Sequence, residues 1–487
     1  MGLDVVIVGA GVAGTSVFVQ LVESLACSST RPASVVLADP RPVGWGTAFG
    51  DSDPLLLCNS AAEINSLLAD RPDDFVDHLR RQGWTGRPQD CVPRARMAEY
   101  CHDHYVRARA RAAEQGVTVR HVAAAVRSVG ARTADGRHRV RLADGQELTA
   151  DAVVLATGVH RPRVPDGFGP FTGHPRYLDS PYPADRIGHE LRPGSRVLVV
   201  GMRQSAVDAA LLLCRDGYRT TMTSRSGVLP SVRESLAAPV RDFPSLEGIA
   251  ALDPADPYLA DRLTRRVVEA VRLLGPVPLR LQTSRAADPV RRLREETALV
   301  ERGDCRWPGV VVALIEAVIP LGAALPAPAR RSLAAHFAPF LDRCATAMTV
   351  VNARRLLAHL DSGALRLAPA YPLGVGFDGA EWRVQWPGSV RERFDHVVNA
   401  TGHHPPELSW DADGKELLLG GPPEGGTAVD RLEEDLRVRR VPGEAPEAVW
   451  VAGVGTHVRI PFANHLRNVV RQARDVAGQV ARIAPGG

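Results

Sequence analysis

The stretch Leu3-Asp-Val-Val-Ile-Val-Gly9-Ala-Gly11-Val-Ala-Gly14 decides how the rest of the chain is read. Val5-Val-Ile-Val8 is a short β-branched run, the composition of a buried strand, and it passes directly into three glycines at the spacing G-x-G-x-x-G. Val17, Leu21 and Leu25 then recur at helical spacing. Strand, glycine turn and helix in this order make a dinucleotide cradle. Gly9 permits the tight turn, Gly11 lets the backbone approach a pyrophosphate, and Gly14 lets the helix pack close to the strand. The pyrophosphate would rest on the helix N-terminus, where free N–H groups and the helix dipole favour negative charge.

A second apolar run, Ser34-Val-Val-Leu-Ala38, ends in Asp39, a carboxylate placed to bind a ribose hydroxyl. The intervening Cys27-Ser-Ser-Thr-Arg-Pro32 reads as a lengthened loop between helix and strand. Farther on, Asp151-Ala-Val-Val-Leu-Ala-Thr157-Gly158 is a strand ending in Ala-Thr-Gly, and Asp395-His-Val-Val-Asn-Ala-Thr401-Gly402 repeats the pattern. With this repeat the sequence resembles the two-dinucleotide-binding flavoproteins, in which an FAD domain is interrupted by an NAD(P)H domain. Ala-Thr-Gly turns mark the crossings between domains in that family.

More narrowly, Gly46-Thr47-Ala-Phe-Gly50, Leu55-Leu-Leu-Cys-Asn59, Val92-Pro-Arg94 and Tyr100 resemble flavin-side segments of the branch related to N-hydroxylating and Baeyer–Villiger monooxygenases. The resemblance implies that FAD occupies the first site, with Gly9, Gly11, Gly14, Asp39, Thr47, Thr157 and Gly158 among its contacts. It also implies an Asn59 side chain beside the reactive flavin face. Arg94 is expected to reach flavin or a cofactor phosphate through its planar donors. Phe171-Thr-Gly173-His-Pro-Arg-Tyr177-Leu-Asp-Ser180 matches the Baeyer–Villiger fingerprint F-x-G-x-x-x-H-x-x-W only at Phe171 and Gly173, so ketone insertion is not supported, and the segment reads as an interdomain loop.

Arg196-Val-Leu-Val-Val200 followed by Gly201-Met-Arg203-Gln-Ser205-Ala206 begins a second nucleotide unit. Ser224 and Arg225, at the end of the next predicted strand, stand where a 2′-phosphate would be held, which points to NADPH. Arg203 departs from the pattern, because it replaces the glycine that admits the pyrophosphate. Its guanidinium either clamps a phosphate or fills the groove, and the sequence leaves both open.

Residues 241–360 lose the α/β rhythm and carry helix-like spacing, as in Arg262–Leu274 and Leu333–Leu341. Such an insertion between cofactor sites is a natural source of substrate walls. Within it, Gly309–Leu325 is the most apolar stretch; Glu316 and Pro320 interrupt it, so a buried helix is expected rather than a membrane span. Near the C-terminus, Ala448-Val-Trp-Val-Ala-Gly453-Val-Gly455-Thr456-His457 and Pro461-Phe-Ala-Asn464-His465 resemble the family's closing flavin segment. There Gly453, Gly455 and Asn464 are expected to contact FAD, and His465 is a candidate for proton transfer.

Composition excludes several other chemistries. Of 59 Lys plus Arg only Lys415 is a lysine, and it sits in a predicted turn, so Schiff-base and phosphate-loop lysine enzymes drop out. A net charge of +4 and 5% aromatics do not make a nucleic-acid surface. The seven cysteines form no C-x-x-C pair, and no metal-ligand cluster is visible, which fits a reducing, cytoplasmic setting. The start lacks the basic region of a signal peptide.

The expected fold is therefore α/β, with two nested Rossmann-like dinucleotide-binding domains and a mainly helical insertion. Residues 1–160 and 403–487 would share the FAD domain, and 161–402 would form the NAD(P)-binding-like domain. The expected function is an FAD-dependent, NAD(P)H-using monooxygenase that takes O2 and a small nucleophile, an amine or amino-acid nitrogen above others. Two readings stay beside it: an FAD-dependent oxidase or dehydrogenase without a nicotinamide cofactor, and a non-catalytic flavin-binding partner protein.

Overall fold

The computed structural model describes residues 3–25, 32–422, 424–441 and 443–483. Residues 27–31 of the expected lengthened loop lie outside the described residues.

Leu3–Val8 is the middle strand of a five-stranded parallel sheet, ordered Val449–Val451, Ala152–Leu155, Leu3–Val8, Pro32–Ala38 and Thr118–Val122. Side chains of a strand point alternately to its two faces. Leu3, Val5 and Ile7 accordingly join a core under the helices Val12–Leu25, Arg94–Glu114 and Leu466–Val480. Val6 and Val8 face the other way, into a core shared with a six-stranded sheet that includes Val126–Gly130 and His138–Leu142. Both faces are covered, which explains why the strand reads as a continuous apolar run rather than an alternating one.

The second unit repeats the construction. Its parallel sheet runs Leu365–Leu367, Arg219–Thr223, Arg196–Val200, His396–Asn399, Tyr177–Leu178. Val197 and Val199 pack under the helix Gln204–Arg215. Leu198 and Val200 face a small antiparallel sheet carrying Trp382 and Phe394. The segment expected to be a plain interdomain loop instead supplies the edge strand Tyr177–Leu178. Burial of Tyr177 beside Phe168 and Trp382, and pairing with Val397 and Val398, order it.

The two chain crossings between the units pair with each other. His160 N–H donates to His404 O at 2.9 Å, His404 N–H to Arg161 O at 3.0 Å, and Arg163 N–H to Gly402 O at 2.9 Å. The C-terminal Val449–Val451 returns to the first sheet beside Ala152–Leu155, so sequence-distant pieces complete one unit.

The insertion leaves and re-enters the second unit at a short parallel pair, Val232–Arg233 with Met348–Thr349. Its helices include Leu259–Arg272, Pro289–Glu301, Val311–Ala324 and Ala327–His336. Asp288 caps the second of these by accepting from Arg291 N–H at 2.6 Å, with Pro289 at the first helical position. The insertion core also takes in Ile64 from the first unit and Phe462 from the C-terminal segment, so it sits on the first nucleotide unit.

Trp307–Ala324 is the one helical stretch among the described residues long and apolar enough to cross a membrane by length and composition, with a mean hydropathy of 1.8. It is 39% buried, less than the sequence suggests. Val311, Val312 and Ile315 enter the insertion core, and the helix docks on the last helix by polar contacts: Glu316 Oε1 lies 3.2 Å from Arg467 and 3.3 Å from Arg471.

Candidate functional site: two nucleotide turns of one design

The two glycine turns are built alike. Gly9 has φ +92°, donates its N–H to Ala38 O at 2.8 Å, and lies so close to the next strand that a methyl group on it would stand 2.3 Å from Ala156 O. Gly201 has φ +139°, donates to Thr223 O at 2.7 Å, and a methyl there would stand 2.4 Å from Ala400 O. Ala156 and Ala400 each donate to the valine that ends the neighbouring strand, Val8 and Val200. The repeated Ala-Thr-Gly therefore has a physical cause. The alanine carbonyl closes on the turn glycine, and Thr157-Gly158 and Thr401-Gly402 lead the chain away at the edge of each cradle.

At the first turn, a methyl on Gly14 would stand 1.9 Å from Gly9 O, which locks the helix Val12–Leu25 against its strand. A methyl on Gly11 would stand 3.3 Å from the Cα of Gly46, so the cradle beside the helix N-terminus has bare backbone on both sides. Asp39, expected to bind ribose, turns toward this loop: one carboxylate oxygen accepts Ala10 N–H at 2.7 Å and the other Arg41 N–H at 2.8 Å. Thr47 accepts from Arg41 Nη1 at 3.1 Å, beside a cleft of about 260 Å³ that Trp45, Asp51 and Tyr182 also line.

The C-terminal turn comes back to this cradle. A methyl on Gly453 would stand 3.0 Å from Ala13 Cβ, and Gly453 N–H donates to Gln472 Oε1 at 3.0 Å. Thr456, fully buried, donates to Gly453 O at 2.8 Å, while Gly455 packs on Val451. His457 bonds Val454 O at 3.2 Å through Nδ1, and Asn464 is exposed.

His465, immediately before the last helix, is 8% exposed, and neither ring nitrogen has a partner; buried Asn468 Nδ2 is likewise unmatched. Burial, followed by the charges of Arg467 and Arg471, pulls His465 down to about 4, so its ring is neutral at pH 7. Orphaned buried polar atoms are uncommon and call for a partner. A bare-backbone cradle at a helix N-terminus and an unmatched polar edge nearby fit FAD, which combines a pyrophosphate with a hydrogen-bonding ring system.

The second turn is partly covered. Arg203 precedes the helix Gln204–Arg215 and its Nη2 pairs with Asp342 Oδ2 of the insertion at 2.6 Å, both side chains about half exposed. Gln204 Nε2 donates to Thr346 O at 2.7 Å, while Ser205 is half-buried on the first turn. Ser224 Oγ accepts Gly227 N–H at 3.1 Å, and Arg225 pairs with Asp166 and lies 5.7 Å from the Tyr371 ring centroid. Strand, positive-φ glycine and helix are all present, as at the first turn, with the Arg203–Asp342 pair lying over the start of the helix.

Arg94 is placed differently from its expected role at a cofactor phosphate. Its Nη2 lies 2.6 Å from Asp208 Oδ2 on the second-unit helix, and Tyr182 donates to the same oxygen at 2.5 Å. Burial opposes the charge on Arg94, but Asp208 and Tyr182 more than offset it and the guanidinium is held above its ordinary range. The sequence signal for this pair is Asp208 itself, an acid within the apolar run Ala206–Leu213. Asn59 is joined by its backbone: its carbonyl accepts from Arg233 Nη2 at 3.3 Å. Nothing in the sequence marked Arg233 among so many arginines.

Residues 6–160 match the family model described as FAD-NAD(P)-binding. An indole-3-pyruvate monooxygenase, YUCCA1, of Oryza sativa subsp. japonica is 36% identical over 125 residues, 25% of this chain and 30% of that protein. The FAD-dependent urate hydroxylase of Xanthomonas campestris is 28% identical over 274 residues, 52% of this chain and 51% of the relative. The chain thus spans about a third to a half of these curated relatives. Over 99% of both chains it superposes on the ornithine hydroxylase of Pseudomonas aeruginosa (15% identity, TM-score 0.53). It does so equally on the L-lysine 6-monooxygenase of Pseudomonas syringae (14% identity, TM-score 0.52). The chain therefore has the fold of the two-dinucleotide-binding-domain flavoproteins, with an FAD-NAD(P)-binding domain in residues 6–160.

Proposed function

We propose that the protein is an FAD-dependent monooxygenase that consumes NADPH and O2 and hydroxylates the nitrogen of an amine or amino acid. The observation that carries this reading is the pair of matched turns at Gly9 and Gly201, which gives one chain two nucleotide cradles. The names of the ornithine and lysine hydroxylases that share the fold support a nitrogen nucleophile.

Gly11 would let the FAD pyrophosphate reach the helix N-terminus, Gly9 and Gly14 shape the turn that presents it, and Gly453 and Gly455 would close the cradle. FAD held there would supply the hydride acceptance and O2 activation that the reaction needs. His465 and Asn468 offer hydrogen bonds to the polar edge, and the neutral His465 ring can donate from its N–H nitrogen or accept a proton at the other. Asn59 fixes a loop on the first unit through its carbonyl. The insertion core, from Ile64 to Phe462, keeps water from this side of the first unit.

At the second turn the exposed Arg203–Asp342 pair contributes no more than about 1 kcal/mol. A guanidinium-phosphate contact is stronger and geometrically matched, so Arg203 exchanges Asp342 for the nucleotide, while Ser224 and Arg225 hold the 2′-phosphate. NADPH consumption and O2 uptake with hydroxylamine formation on primary amines tests the function. An enzyme that oxidises an amine with no nicotinamide present supports an FAD oxidase instead, the reading that a permanent Arg203–Asp342 pair favours.

A further inference from the structure

One half-buried guanidinium joins the helical insertion to the turn that closes the flavin cradle. Arg330, on the helix Ala327–His336, donates from Nη1 to Gly322 O at 3.2 Å, Leu325 O at 3.3 Å and Arg459 O at 3.0 Å, and from Nη2 to Val458 O. Gly322 and Leu325 stand at the end of the helix Val311–Ala324, where the last carbonyls lack intrahelical donors and the helix dipole is negative. The residue four positions after Gly322 is Pro326, which has no N–H to give that carbonyl. Val458 and Arg459 lie at the end of the turn Gly453–Val458. Burial, then the charges of Arg459, Arg331 and Arg431, pull Arg330 below its ordinary range, yet a guanidinium stays protonated in a protein. Main-chain carbonyls of two segments therefore hold this cation in place.

Further contacts follow along the same pair of segments. A methyl on Gly322 would stand 2.5 Å from Pro461 Cγ, so the helix end lies directly on the chain that leaves the turn. Phe462, at φ +52°, packs into the insertion core. Farther back on the helix, Glu316 reaches Arg467 and Arg471, but these pairs are partly exposed and screened by water. On its other side the turn meets the cradle, with Gly453 against Ala13 at the start of the helix Val12–Leu25. Arg459 N–H and Ile460 N–H both donate to Thr456 O, at 2.9 and 2.7 Å, which closes the turn on itself and turns the Val458 and Arg459 carbonyls to Arg330. Charge-assisted bonds are stronger than neutral ones, so Arg330 is the firmest link between insertion and turn.

We propose that Arg330 is a positioning residue for the flavin: by tying the insertion to Val458 and Arg459 it sets the turn Gly453–Val458 that closes the cradle, and so makes flavin binding depend on the insertion. This rests on the flavin placement given under the monooxygenase reading. Arg330 acts through the turn and touches neither cofactor nor substrate. Without it the Gly322 carbonyl and the Val458 and Arg459 carbonyls lose a shared donor, the helix end and the turn are free to part, and the cradle loosens at Gly453. A lysine keeps the charge but offers its donors from a single nitrogen, so it replaces only part of the fork.

The test follows FAD release from the loaded full-length protein on dilution, read as flavin fluorescence, together with the flavin absorption bands and the thermal midpoint with and without excess FAD. Arg330→Met is expected to bind FAD roughly 10-fold more weakly than wild type, the scale of losing hydrogen bonds to a charged group, and to show displaced flavin bands. Arg330→Lys is expected to recover part of the affinity. Arg331→Met, at the exposed next position on the same helix, should match wild type. A merely structural role would lower the thermal midpoint equally with and without excess FAD and leave affinity and bands unchanged; that result overturns the proposal, as does an equal loss in Arg330→Met and Arg331→Met. Should Arg330→Met not fold, Arg330→Lys decides: severalfold weaker FAD binding supports the proposal, and a wild-type value overturns it. Flavin reduction by NADPH is recorded in the same samples. Its failure in wild type counts against the monooxygenase reading, whereas unchanged FAD affinity in Arg330→Met with reduction intact counts against Arg330 alone.

Discussion

Arg94 Nη2 stands 2.6 Å from Asp208 Oδ2 across the seam between the two nucleotide units, with the Asp208 side chain 2% exposed and the Arg94 side chain 15%. Tyr182 donates to the same carboxylate oxygen, and the Arg94 guanidinium lies 5.5 Å from the Tyr182 ring centroid. One cluster thus fixes how the units face each other. Removing a single partner strands a buried charge. Arg94→Met and Asp208→Asn are each expected to cost about 3–5 kcal/mol, read as a lower denaturation midpoint. A double variant, Arg94→Met with Asp208→Leu, should cost less than the sum of its parts, and strict additivity would show that the pair is not coupled.

Gly14→Ala tests the first cradle. Its methyl would stand 1.9 Å from the Gly9 carbonyl oxygen, backbone that has no flexible side chain to move aside. Purified Gly14→Ala protein is expected to retain little flavin, while Gly83→Ala, with open space around it, should keep wild-type flavin content within the cost of its positive φ. Equal flavin content in the two variants would contradict the assignment of the cradle.

His465 makes the fold pH-sensitive on the acid side. Its native value is lowered to about 4 by burial and by Arg467 and Arg471, below an unfolded value near 6.5. The unfolded chain therefore binds a proton first as pH falls. This contribution is fully present above about pH 6.5 and lost between there and about pH 4, on the order of 3 kcal/mol in all. His465→Gln should flatten that part of the stability profile; an unchanged profile would show that His465 does not control it.

At the second turn, Arg203 and Asp342 separate two accounts of nicotinamide use. Where Arg203 clamps phosphate, Asp342→Asn lowers the KM for NADPH by up to about fivefold, the scale of an exposed ion pair, and Arg203→Ala raises it about tenfold. The opposite ordering, with Arg203→Ala improving the KM, would identify the side chain as an obstruction.

Much of the fold was legible because both parallel sheets are covered on two faces. That burial forces continuous apolar strands such as Val5–Val8 and Val197–Val200, and it forces glycine where Ala156 O and Ala400 O press on the turns. The edge strand Tyr177–Leu178 was not legible. It is two residues long, and its order comes from Trp382 and His396–Asn399, more than two hundred positions away. Arg94, Arg233 and Asp39 illustrate the same limit at the site. A side chain's chemistry is local, but whether its partner is a phosphate, Asp208 or the Ala10 N–H depends on where distant segments cross.

Anaerobic titration of the FAD-loaded protein with NADPH, followed at the flavin absorption bands, tests most directly that one chain holds two working nucleotide sites. Stoichiometric bleaching is expected, slowed in Arg203→Ala at limiting NADPH. A flavin that stays oxidised under excess NADPH and NADH, yet bleaches with an organic substrate alone, would contradict it.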